Sequence, residues 1–141
     1  MIENNQGLES LMIWQKSIDF AVDVCQSILP LFPPHEAHAL SSQLRRAVYS
    51  ISANIAEGYG RFNYQESIHF CYIARGSLAE TKSFLVLAER LGYVNAEQLQ
   101  TYQSRLTELW KMLHGYINHL RTQKNQSNIK EVPDPDDTYA I

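Results

Sequence analysis

Apolar residues recur at three- and four-residue steps in four separate stretches of the chain, the spacing that places them on one face of an α-helix. The clearest stretch carries Leu40, Leu44, Ala47, Val48, Ile51 and Ile55. Before it, Leu11, Trp14, Ile18, Ala21 or Val22, Cys25 and Leu29 form a stripe, opposed by Glu9, Lys16, Asp19 and Asp23. After it comes a long stretch with two stripes: Phe70, Ile73, Phe84, Leu87 and Leu91 on one side, Cys71, Leu78 and Leu85 on another. The last stretch runs Leu99, Tyr102, Leu106, Leu109, Leu113, Tyr116, Leu120, a heptad seam of the kind that packs left-handed bundles. Trp110 and Ile117 add a second apolar edge there. The pattern predicts helices near 8–29, 38–57, 63–91 and 95–122. Short connections make successive helices antiparallel, so the predicted fold class is all-α, an antiparallel up-and-down four-helix bundle.

Breakers separate the stretches. Leu29-Pro30-Leu31-Phe32-Pro33-Pro34 ends the first, because proline cannot continue a helix and disfavours it in the preceding residue. The segment up to about Ala39 is long enough to cross one end of a bundle. Gly58 and Gly60 read as the stop of the second helix and Gly92 as that of the third. Asn63 with Glu66, and Asn95 with Gln98, have the spacing of N-terminal capping boxes. Gly76, Ser77 and Ala79 weaken the third helix, the glycine by roughly 1 kcal/mol relative to alanine. Close approach to Ala47, Ser50, Ala53 and Asn54 of the second helix is the expected compensation.

The 141 residues suffice for one domain with a sizeable core, and 45% are hydrophobic. No apolar run nears the roughly 20 residues of a membrane span, and MIENNQGLES lacks the features of a signal peptide, so a cytoplasmic protein is expected. Cys25 and Cys71 lie on apolar faces and read as small buried hydrophobes. The net charge of −3 argues against indiscriminate coating of nucleic acid. Part of it belongs to the segment after Lys124, where Glu131, Asp134, Asp136 and Asp137 cluster; the bundle itself is close to neutral. Residues 1–122 therefore read as the bundle and 123–141 as a disordered acidic tail.

Signals of enzyme chemistry are weak. Glu66-x-x-His69 has the spacing of a di-iron ligand pair, but a bundle site needs a second pair and two further glutamates. His35-x-x-His38 lies in the proline-rich connection, and His114 and His119 do not share a helix face. The Gly58-Tyr59-Gly60 turn lacks the Lys-Ser/Thr of a phosphate loop. The expectation is a non-enzymatic protein with no cofactor and no metal.

The segments WQKSIDFAVDV, QLRRAVYSISANIAEGYGR and ARGSLAE resemble the four-helix-bundle proteins encoded in intervening sequences of bacterial 23S ribosomal RNA genes. The resemblance spans roughly residues 8 to 120 and extends to the accessory protein of diversity-generating retroelements. It implies a bundle that assembles as a ring-like pentamer, without established enzymatic activity. For the retroelement branch it implies binding to nucleic acid and to a reverse transcriptase. His69 and Lys82 depart from the family pattern, standing where a basic and an acidic residue are usual.

Three sets of site residues follow. Asn54, Glu57, Arg75 and Glu80 lie on or near the small face proposed between the second and third helices, and a carboxylate–arginine network is expected there. Arg45, Arg46 and Arg61 bracket the second helix, while Arg75, Lys82, Arg90, Arg105, Lys111 and Arg121 are spread over the third and fourth. Of these, Arg45, Arg46, Arg61, Arg75, Arg105 and Lys111 are the candidate nucleic-acid contacts. Repeated around an oligomer, such patches make a phosphate-binding surface through counterion release. Finally, Phe84, Leu87, Trp110 and Ile117 exceed what one bundle core can hide and are the expected oligomer interface. The predicted function is an oligomeric scaffold that binds structured RNA or a nucleic-acid-processing partner. The alternative is a self-associating interaction module with no nucleic-acid role.

Overall fold

The computed structural model describes residues 7–127. Four long helices dominate: α1 (Met12–Asp23), α2 (Leu40–Tyr59), α3 (Tyr64–Arg90) and α4 (Ala96–Ser127). No strand occurs among the described residues. Adjacent helices pack α1 on α2, α2 on α3, α3 on α4, and α4 back on α1. Each pairing is antiparallel: Gly58 meets Ser67 and Arg46 meets Glu80 across α2–α3, while Lys16 meets Glu108 and Asp23 meets Arg105 across α1–α4. This is an up-and-down four-helix arrangement around one core.

Local chemistry explains the ends. Ahead of Pro30, α1 widens into a π turn over Val24–Ile28, with Leu29 N–H bonded to Val24 O, then tightens into a 3₁₀ turn at Leu29–Leu31. Proline removes a donor and crowds the preceding turn, so the regular ladder cannot run through it. Asn63 Oδ1 accepts from Glu66 N–H at 2.8 Å and opens α3. Asn95 and Gln98 form the reciprocal box that opens α4, at 2.9 and 2.8 Å. Gly92, at φ 81°, ends α3 in the left-handed region that suits glycine. Helix α4 continues past Thr122 to Ser127; the remainder of the expected acidic tail lies outside the described residues.

The predicted stripe of α2 is buried throughout, from Leu40 to Ile55. Helix α1 is rotated from the expectation: Ile13, Ser17, Phe20, Ala21, Val24 and Ile28 face the core, while Leu11, Trp14, Ile18 and Cys25 are half-buried. The buried Ser17 disguises this line in the sequence. Its hydroxyl donates to Ile13 O at 2.7 Å, so it enters the core without an unmet polar group. On α4 the seam passes through Ile117, 1% exposed, and Tyr116 is displaced to its edge.

The close approach of α2 and α3 falls at a different glycine from the one expected. A Cβ at Gly76 would meet nothing within 4 Å, whereas one at Gly58 would lie 2.9 Å from Phe70 Cβ and 3.0 Å from Ser67 O. Gly58 thus lets the backbones touch inside α2, and Ser67 Oγ donates to Gly58 O at 2.7 Å across the contact. The helix stop falls at Gly60 instead.

Candidate nucleic-acid interface

Three of the six candidate cations are engaged with acids. Arg46 reaches Glu80 at 2.8 Å and Gln43 at 3.0 Å; Arg61 pairs with Glu57, four residues before it, at 2.6 Å and lies over the Phe70 ring. Arg105 pairs with Asp23 and stacks over Phe20 and Tyr102 at 5.2 and 5.6 Å. Burial pushes the Asp23 carboxyl upward, but hydrogen bonds from Arg105, Ser27 and Tyr102 outweigh it and hold the group below its ordinary value. Arg45, Arg75 and Lys111 have no ion pair among the described residues. Arg45 is exposed beside Tyr49, and Lys111 is exposed on α4.

The expected carboxylate–arginine network does not form as one unit. Glu57 and Glu80 serve Arg61 and Arg46 separately. Asn54 bonds Ser50 through its backbone oxygen and its hydroxyl, both at 2.8 Å, and Ser77 Oγ closes the α2–α3 joint on Ser50 Oγ at 2.7 Å. A neutral hydroxyl–amide joint spares this interface the desolvation cost of buried charge. Arg75 points the other way, towards α4.

There it joins a group of residues that the sequence scattered. The Arg75 guanidinium lies 4.8 Å from the Tyr72 ring centre and 6.0 Å from that of Trp110. Arg121, from α4, donates to the Tyr72 hydroxyl and lies 5.6 Å from its ring centre, so two guanidiniums share one aromatic ring. One turn further on, Lys124 donates to Gln65. His114 sits 5.1 Å from Trp110, ring to ring, and its Nε2 is buried without a hydrogen-bond partner among the described residues. At the other end, Lys82 borders an open groove of about 380 Å³ between α3 and α4.

Among the described residues no carboxylate forms an ion pair with these cations. From Gln65 to Val86, α3 carries two acids: Glu66, exposed in the first turn beside Gln65, and Glu80, which is turned to Arg46 on α2. From Gln103 to Ser127, α4 carries one, Glu108, and it pairs with Lys16 on α1. The α3–α4 seam therefore presents Arg75, Lys82, Arg121 and Lys124 over about 25 Å of helix, interleaved with Tyr72, Trp110 and His114. Such a stripe can hold successive phosphates and offer rings to bases. Register could have revealed it, since Arg75 and Lys82 are seven apart and Trp110, His114 and Arg121 follow at four and seven.

The expected interface residues do not make one patch. Ile117 belongs to the chain's own core, and Phe84 is half-buried against that core. Trp110, 39% exposed, lines the α3–α4 groove. Leu87 lies outside it on α3, where Ile73 at 40%, Leu87 at 46% and Leu91 at 49% remain exposed.

Elsewhere, Cys71 is buried, and burial pushes its thiol up to about 11, far from a reactive thiolate. Among the described residues no group of three His, Cys, Asp or Glu side chains is placed to hold a metal ion, and no helix is long and apolar enough to cross a membrane.

Fold and seam together define a small all-α bundle with one flank of cations that form no ion pair among the described residues. The chain belongs to the 23S rRNA-intervening sequence protein family, whose model matches residues 9–115. Among solved structures it is similar to a protein of unknown function from the S23 ribosomal protein family of Bacteroides thetaiotaomicron. The two share 29% identity and a TM-score of 0.69, over 75% of this chain and 98% of that one. No curated protein matches the chain.

Proposed function

We propose that this protein is a non-enzymatic, homo-oligomeric scaffold of the cytoplasm that binds structured RNA along the α3–α4 seam. The observation that carries the reading is that, among the described residues, no carboxylate forms an ion pair with Arg75, Lys82, Arg121 or Lys124 on that flank. Cations left without protein counter-ions are available to phosphates, and their binding releases counterions from the RNA. Filter binding of a structured RNA across a salt series tests it. Four phosphate contacts per chain give a log–log slope of about −3. A slope near zero would leave the alternative, self-association with no nucleic-acid role.

Self-association is supported by the outer stripe of α3, where Ile73, Leu87 and Leu91 are exposed at one helical spacing. The family resemblance suggests a pentamer. In a closed ring the basic seam recurs in every subunit, and modest sites become one strong surface. Light scattering decides the point: a mass near 16.2 kDa for the wild type sinks the oligomer. If it assembles, Leu87→Asp should dissociate it with helicity retained.

A further inference from the structure

We infer that the groove between α3 and α4 is a base pocket, so that the seam recognises an unpaired nucleotide and not only a run of phosphates; this rests on the nucleic-acid reading above. The groove holds about 380 Å³, within the roughly 300–1,000 Å³ of small-ligand clefts. Its walls are Leu78, Ala79, Leu106 and the Trp110 indole, and its rim carries Lys82, Gln103 and Thr107. A nucleobase matches that distribution, with two apolar faces and a polar edge that bonds amides and hydroxyls. A duplex does not, because its bases are stacked on one another and their faces are closed to an indole.

The surroundings fit the rest of a nucleotide. Lys82 stands at the rim, and the Arg75 guanidinium lies 6.0 Å from the Trp110 ring centre. Arg121 and Tyr72 continue the path for the next phosphate. Access is open: Ala79 is the small residue on the groove wall, and Gly76, one turn earlier, has nothing within 4 Å of where a side chain would begin. The occupant is therefore a single-stranded stretch, such as the loop or bulge of a folded RNA, with one base against Trp110.

The test uses the indole itself. The chain has two tryptophans, so Trp14→Phe leaves Trp110 as the lone reporter. An unstructured RNA of about ten nucleotides should quench Trp110 fluorescence on binding, and a blunt duplex of equal length should bind the cations without quenching it. Trp110→Leu should weaken the single strand tenfold or more and the duplex less than twofold. Thr107→Glu, a surface change at the rim that does not disturb the core, should weaken the single strand similarly. Equal affinities of wild type and both variants for the single strand would overturn the base pocket while leaving RNA binding in place. Failure of both RNAs to bind would overturn both readings. A drop in oligomer mass with unchanged RNA affinity in Trp110→Leu would assign the groove to a second copy of the chain, and overturn the pocket.

Discussion

Helix α4 is flanked by two seams that use the same residue types to opposite ends. Against α1, each cation meets an acid: Arg105 bonds Asp23 and Lys16 bonds Glu108. Against α3, Arg75 and Arg121 stack on Tyr72 and form no ion pair among the described residues. In both seams an arginine lies over aromatic rings, so stacking does not separate them. The counter-ion does. Arg105 has its charge consumed within the fold and holds two helices together. Arg75 and Arg121 keep theirs available at the surface, forgoing about 0.2–1 kcal/mol that an ion pair of this kind contributes. That is a small cost in stability and a large difference in what the surface can bind.

The strongest way to break the comparison is charge reversal. Arg75→Glu with Arg121→Glu should lower RNA affinity on the order of 100-fold near 0.1 M salt, while Arg105→Gln changes it less than threefold. If Arg105→Gln lost as much in filter binding, the distinction between the seams would be wrong.

Stability should show the reverse order. Arg105→Ala removes the Asp23 pair and the stacking on Phe20 and Tyr102, a loss of about 1–2 kcal/mol in urea unfolding. Arg75→Ala should cost less than about 1 kcal/mol, since it breaks stacking alone.

An acid can also be added to the middle of the α3–α4 seam. Gly76→Glu enters open space on a regular helix, so it should stabilise the bundle by roughly 0.5–1 kcal/mol through helix propensity. Its carboxylate, one turn from Ala79 of the groove wall, should weaken RNA binding about tenfold. Stability and affinity moving in the same direction would contradict the account.

The smallest effect is a pH dependence confined to the α1 seam. Asp23 is held below its ordinary value in the folded chain, so its contribution is present above about pH 4 and is lost as pH falls through the lowered value. The pair is partly exposed, which limits it to about 1 kcal/mol or less. Wild type and Asp23→Asn should therefore differ by a few degrees in Tm at pH 7, and the difference should shrink as the pH falls below about 4. The difference between wild type and Arg75→Ala should not depend on pH across that range.

Much of the bundle was legible from the residues alone. The stripe from Leu40 to Ile55, the capping pairs Asn63–Glu66 and Asn95–Gln98, the proline break and Gly92 are all local signals, and each lies where it was expected. Helix period and caps depend on neighbours three or four residues away, so one sequence suffices to read them. Tertiary structure decided which of two competing apolar lines is buried. It chose Phe20 and Val24 over Trp14 and Ile18, and Ile117 over Tyr116. It also decided that Gly58, not Gly76, marks the close approach of two helices. Above all it decided which arginines are free. Arg105 and Asp23 are separated by 82 residues and Arg46 and Glu80 by 34, and no local pattern announces such a pairing. Side-chain charge is written in the sequence, but its availability depends on which helix packs alongside.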